Sequence, residues 1–141
     1  MKGYTLITGG AGFIGSNYAA RCLARKEKVV IFDNLSRSGA SLNLEWLSDQ
    51  FGRESFELIR GDVRDETAIE EAASGADRIL HLAAQVAVTT SVTDPRTDFE
   101  INARGTFNTL EAARASGRKP VFLYASTNKV YGGMENVPVV E

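Results

Sequence analysis

The sequence predicts an α/β fold, a doubly wound parallel sheet in three layers with helices on both faces. Three observations predict it. Short apolar runs alternate with stretches of helical periodicity throughout the 141 residues, with no linker, repeat or low-complexity stretch between them. The run Val29-Val30-Ile31-Phe32 is apolar on both faces, as a strand between two helical layers must be. The first strand turns into the first helix through glycines, at Thr8-Gly9-Gly10-Ala11-Gly12-Phe13-Ile14-Gly15.

In chain order, Tyr4 to Ile7 is the first strand, and Phe13 to Lys26 the first helix. Ile14, Tyr18, Ala19, Cys22 and Leu23 form its stripe, with Arg21, Arg25 and Lys26 away from it. Lys28 to Asp33 is the second strand and Asn34 to Ser41 a polar loop. Leu44, Leu47 and Phe51 mark one face of a short helix ending near Gly52, with Trp46 packing beside it. Phe56 to Asp62 is the third strand, and Asp65 caps a helix that runs to Ser74. Arg78 to Ala83 is the fourth strand, followed by a turn of small residues over 84–91. Asp94 and Pro95 open the longest helix, which runs to Ser116 on a stripe of Phe99, Ala103, Thr106, Leu110 and Ala113 and ends at Gly117. Pro120 to Tyr124 is the fifth strand, so five strands alternate with four helices.

Composition narrows the function classes. The chain is one domain, short for a complete two-domain enzyme, with 43% apolar and 24% charged residues. A net charge of -2, with both signs mixed along the chain, argues against nucleic acid and against an anionic membrane as partners. The single cysteine, Cys22, excludes an internal disulfide and reads as a small core residue. His81 is the only histidine, so no metal is expected, and it reads as a satisfied core residue. Lys2 precedes a strand rather than a signal-peptide core, and no apolar run approaches membrane-spanning length. The expectation is a cytoplasmic protein.

The candidate site residues fall where strands end. A strand that turns into a helix through glycines is a phosphate-binding design, because the backbone approaches the anion closely and the helix dipole adds to the pull of its free amides. Gly9, Gly12 and Gly15, with Phe13 and Ile14, are the candidates there. Asp33 lies 18 residues after Gly15 (33 minus 15), at the end of the second strand. A carboxylate in that place accepts hydrogen bonds from an adenosine ribose and repels a 2′-phosphate, which favours NAD over NADP; the other reading is a cap on the turn Asp33-Asn34-Leu35-Ser36. Arg37 reads as a solvated loop residue, although an arginine there could accommodate a 2′-phosphate. Asp62 could meet an adenine amino group with Val63 against the ring, or serve its own turn. Ala83, Ala84 and Gln85 let a flat cofactor lie against the backbone near the nicotinamide-side ribose, or simply make a small-residue turn. Asn102 could bridge backbones across the end of the sheet, or simply lie exposed at the surface.

These residues resemble the extended short-chain dehydrogenase/reductase family, the NAD-dependent nucleotide-sugar epimerases and dehydratases with a Rossmann-type domain. The likeness runs through Thr8 to Gly15, Asp33-Asn34-Leu35-Ser36, Gly61-Asp62-Val63-Arg64-Asp65, His81-Leu82-Ala83-Ala84, Asn102 to Thr106, Leu110-Glu111-Ala112 and Val130-Tyr131-Gly132. Phe32 to Arg37, Gln85-Val86-Ala87, Asp98 to Asn102 and Ser126 to Gly132 look most like its CDP-paratose 2-epimerase branch. The resemblance implies that NAD binds along Gly9, Gly12, Ile14, Gly15, Asp33, Asn34, Asp62, Val63, Ala83, Ala84 and Gln85, and that Thr127 hydrogen-bonds the sugar oxygen being oxidised. In such enzymes a tyrosine, helped by a lysine four residues later, takes the hydroxyl proton while NAD takes the hydride; the keto sugar is then reduced from the other face. The cation is needed because a phenol of pKa about 10 is a poor base near neutrality.

Here the chain departs from the family pattern. The residues four after its tyrosines are Thr8, Cys22, Asn128 and Glu135, none of them lysine, and Lys129 and Tyr131 stand in the wrong order. The expectation is an NAD-binding domain over residues 1–141 that lacks its substrate domain and does not epimerise alone, with a nucleotide sugar as substrate of the full-length protein. A dehydratase or reductase of the same family shares every motif. From another class, a non-catalytic dinucleotide-binding module would pair through its bare sheet edge, and a homo-oligomer is left open.

Overall fold

The computed structural model describes residues 3–127, so Lys129, Tyr131 and the Val130-Tyr131-Gly132 stretch lie outside the described residues. Five strands form one parallel sheet: β1 Tyr4–Thr8, β2 Val29–Asp33, β3 Glu57–Arg60, β4 Ala76–His81 and β5 Val121–Tyr124. Their order is β3-β2-β1-β4-β5, with Ile7 between Ile31 and Leu80 in register. Winding thus reverses between β1 and β4, which opens a crevice at the carboxyl ends of those strands.

Three layers follow from alternation along the strands. Leu6, Val30, Phe32 and Ile79 point to one face, where they meet Ile69, Ala72 and Ala73 of α3 (Glu66–Ala73) and Ala112 and Ala113 of α6 (Gly105–Ala115). Ile7, Val29 and Ile31 point to the other, against Ala19, Cys22 and Leu23 of α1 (Phe13–Ala24) and Leu47 of α2 (Ala40–Phe51). Asp65 caps α3 as expected, its carboxylate accepting from the Ala68 amide. Cys22 is buried in the core.

Several expectations need correction. Residues 84–91 are not all turn: α4 spans Val88–Thr93, a helix of β-branched residues with poor intrinsic propensity. Side-chain bonds support it, since Ser91 Oγ donates to the Ala87 carbonyl and to Asp98. The long helix is α5 (Pro95–Phe99), a π-helical turn (Glu100–Arg104) and α6, and of the expected stripe only Ala113 lies on its buried face. Phe99, Ala103 and Leu110 are exposed, whereas Gly105, Asn108, Thr109, Ala112 and Ala113 are buried. The π turn inserts a residue and shifts the phase, and close packing against α3 favours small side chains whose polar atoms are satisfied. Asn108 donates to the Val63 carbonyl at 3.0 Å and Thr109 to the Gly105 carbonyl at 2.8 Å. Ile14 leaves the α1 stripe, 66% exposed, and Trp46 packs only in part, 40% exposed. β4 starts and stops two residues before its expected bounds, which leaves Leu82 and Ala83 beyond the strand.

Candidate functional site

The glycine turn is forced by its neighbours. Gly9 has φ +67°, and a Cβ there would lie 2.7 Å from the Ala83 amide nitrogen. A Cβ on Gly15 would lie 2.6 Å from both the Gly10 Cα and the Gly9 carbonyl oxygen, so α1 can approach the turn only without one. Gly12 caps α1 with no side chain to bond the first turn, and amides there have no intrahelical partner. Ala11, wholly buried between the glycines, donates its N–H to Asp33 Oδ2 at 3.0 Å and accepts at its carbonyl from Asn43 Nδ2 at 2.8 Å.

At the end of β2, Asp33 Oδ1 accepts from the Leu35 amide at 2.8 Å, so the carboxylate does cap its own turn. Each of its oxygens carries one such bond and keeps capacity for another. Asp62 is more heavily used. Its Oδ1 accepts from the Arg64 amide and Nε, its Oδ2 from Arg64 Nη2 at 2.7 Å and Asn34 Nδ2 at 3.0 Å. The Arg64 guanidinium holds the Asp62 carboxyl well below the usual carboxylate range. An adenine amino group would have to share an oxygen with these partners. Asn34 is likewise engaged, its Oδ1 accepting from the Ser36 amide.

A polar chain holds the end of β4. Thr106 Oγ1 donates to the Asn102 carbonyl at 2.7 Å, so it accepts from His81 Nε2–H at 3.0 Å. That leaves His81 Nδ1 to accept from Thr8 Oγ1 at 2.8 Å, and Thr8 in turn accepts from the Leu82 and Ala83 amides. His81 is therefore the satisfied core histidine that the sequence predicts, and burial pushes its imidazole down to about 4. Asn102 makes the expected bridge: its Oδ1 accepts from the Gln85 amide at 2.8 Å and its Nδ2 donates to the Gln85 carbonyl at 3.1 Å. The ring of Tyr124 stacks on His81 at 6.0 Å. Thr127 lies three residues past β5 and is exposed.

One open cleft of about 680 Å³ joins these groups. Gly9, Gly12, Phe13, Ile14 and Gly15 line it at the glycine turn; Asp33 and Asn34, with Asp62 and Val63, at the ends of β2 and β3; and Ala83, Ala84, Gln85 and Thr127 past β4 and β5. Arg37 also reaches the cleft. Sequence reasoning missed Asn43, Arg64 and the Thr8–His81–Thr106 relay. Asn43 carried no signal, being one polar residue in an amphipathic helix; Thr8 and Thr106 became meaningful only when the sheet put them on either side of His81. Among the described residues no group of three or more His, Cys, Asp or Glu is placed to hold a metal ion, and no helix is long and apolar enough to cross a membrane.

A parallel sheet in this order, with a glycine turn and a cleft at its reversal, is a Rossmann-type domain. The chain belongs to the GDP-mannose 4,6 dehydratase family, whose sequence profile matches residues 6–141, within the extended short-chain dehydrogenase/reductases that its motifs resemble. It is 48% identical over 132 residues to a CDP-paratose 2-epimerase of Salmonella typhi, covering 92% of this chain and 38% of that one. It is 34% identical over 138 residues to a UDP-glucose 4-epimerase of Klebsiella pneumoniae, covering 96% and 97%. In structure it resembles the UDP-glucose-4-epimerase of Stenotrophomonas maltophila with bound NAD and formylated UDP-arabinopyranose, with a TM-score of 0.85 at 30% identity, covering 97% of this chain and 40% of that one. The chain thus spans about two fifths of the Salmonella and Stenotrophomonas proteins.

Proposed function

We propose that the chain is the NAD-binding part of a cytoplasmic nucleotide-sugar epimerase of the CDP-paratose 2-epimerase type. The observation that carries this is the single cleft that joins the glycine turn, Asp33 and the Ala83–Gln85 wall. The residues fit a dinucleotide. The cleft has the volume of a cofactor site, the glycine turn presents a helix start with open amides, and Asp33 retains acceptor capacity at the end of β2. NAD, when bound, would supply a hydride acceptor that becomes the donor for the return step.

The chain's own residues would divide the work along the cleft. The first-turn amides of α1 would hold the pyrophosphate, and Asp33 would accept from an adenosine ribose hydroxyl. Val63 would pack against the adenine, with Asp62 and Asn34 at its edge. Asn102 would hold Gln85, and so the Ala83–Gln85 backbone, beside the nicotinamide-side ribose. Thr127 would donate a hydrogen bond to the sugar oxygen. No tyrosine of the 141 residues has a lysine four positions on, so no residue of the chain is assigned to remove the proton.

Calorimetric titration tests the cofactor. NAD binding with NADP at least about tenfold weaker is expected from the Asp33 charge, and tighter NADP binding overturns that assignment. Turnover of a CDP-sugar by this chain, followed by NMR, is expected to be absent; measurable turnover sinks the division of labour. The family's description favours a second reading, a 4,6-dehydratase. Assayed on a protein as long as the Salmonella relative, a keto-deoxy product rather than an epimer would support it. Light scattering separates both from a non-catalytic module, for which a stable oligomer independent of NAD is expected.

A further inference from the structure

Asn43 lies on α2, outside the lining of the cleft, yet its side chain reaches the glycine turn. Its Nδ2 donates to the carbonyl of Ala11 at 2.8 Å, while Asp33 takes the amide of the same residue at 3.0 Å. The Ala11 carbonyl and the Gly12 N–H belong to one planar peptide. Drawing the oxygen toward α2 therefore turns the N–H the other way, where it donates to the Gly9 carbonyl at 3.1 Å. That rotation sets the backbone of Gly12, the cap residue of α1, and with it the direction of the first-turn amides. α2 is a firm support. The Asn43 amide donates to the Gly39 carbonyl at 3.1 Å, and Leu47, one turn on, is wholly buried.

We propose that Asn43 is a positioning residue for the pyrophosphate grip: without touching the cofactor, it fixes the peptide that aims the α1 amides at a diphosphate. This rests on reading the cleft as an NAD site. A residue that only packs α2 against the turn would weaken every ligand of the cleft alike, whereas one that orients the grip acts on ligands carrying the diphosphate. ADP and adenosine separate the two.

The experiment titrates NAD, ADP and adenosine into the wild-type chain and into Asn43→Ala and Asn43→Leu, the second of similar size, uncharged and with no N–H to donate. Affinity for NAD and ADP is expected to fall about tenfold in both variants, with adenosine changed less than about twofold. Equal losses for ADP and adenosine, or no loss, overturn the proposal. Should the variants fail to fold, the wild-type chain still decides. Its Asn43 side-chain amide resonance is expected to shift on adding ADP and not on adding adenosine, and an unmoved resonance with ADP overturns the proposal. If the wild-type chain binds neither NAD nor ADP, the cofactor reading falls and this inference with it; if it binds both and the variants match it, only the role of Asn43 falls.

Discussion

The two sides of the cleft, on the halves of the sheet either side of the reversal between β1 and β4, are held by different contacts. β1 and β2 are buried on both faces, with Leu6 and Phe32 in one apolar layer and Ile7 and Ile31 in the other. β5 shows Val121, Leu123 and Tyr124 at 60%, 49% and 56% exposure, and its side of the cleft is organised by His81 and Asn102 through hydrogen bonds. The glycine turn thus stands on close-packed strands, with Asp33 and Asn43 bonded to Ala11, and the Ala83–Gln85 wall on a polar relay. Packed volume is insensitive to pH, whereas a relay through an imidazole is not.

The largest effect is expected where volume rules. Ile31 is wholly buried, and Ile31→Ala removes several methyl and methylene groups that the surrounding strands cannot collapse to replace. A loss of about 2–5 kcal/mol in urea unfolding is expected. A loss below about 1 kcal/mol would show that this half is not close-packed, and the contrast would fail.

Acid is expected to act on the other half. Burial lowers the His81 pKa from 6.5 in the free side chain to about 4 in the fold. Protonation therefore favours the unfolded chain. The stabilisation is complete above about pH 6.5 and is lost as pH falls through the window down to about 4, by linkage on the order of 3 kcal/mol. Carboxylates add their own acid sensitivity, so the decisive measurement is a difference. Urea midpoints across that window should fall less steeply in His81→Gln than in wild type, and parallel slopes would remove the imidazole from the relay.

Asn102→Ala comes next. It deletes both bonds to the Gln85 backbone and one to Asp98, at partly buried positions, and about 1–2 kcal/mol is expected. Hydrogen exchange sharpens the test: the Gln85 amide should lose protection while the Gly9 amide, bonded to the Phe32 carbonyl at 2.8 Å, keeps it. Loss at both would mean that the halves are coupled.

The same division governs what could be read in the sequence. Val29 to Phe32 and the glycines announced themselves, because strand burial and phosphate turns are local patterns in residue type. The candidate cleft residues came from such strand-end positions, except Asn34 and Thr127, which the family resemblance supplied. Asn43, Thr8 and Thr106 did not, since each acts on a partner far along the chain, such as Ala11 for Asn43; Arg64 acts on Asp62, only two residues away, but residue type alone does not show which side chain an exposed arginine will clasp. The α6 face was misread for a related reason. Hydrophobicity points to Phe99 and Leu110, but the buried seam against α3 is built from glycine, alanine and satisfied polar residues, so the strongest apolar signal lay on the outside.

The smallest effect is expected at β5, where it completes the comparison. Leu123 is half exposed, so its side chain has little transfer energy to lose, and threonine, branched at Cβ, suits a strand. Leu123→Thr should lower the stability measured by urea unfolding by less than about 0.5 kcal/mol, against several for Ile31→Ala. The two residues are both aliphatic and both mid-strand, so the ratio of their effects measures packing rather than residue type. A loss above about 2 kcal/mol at Leu123 would mean that its side chain is covered in solution, and the asymmetry between the halves would then be one of which groups pack, not of whether they do.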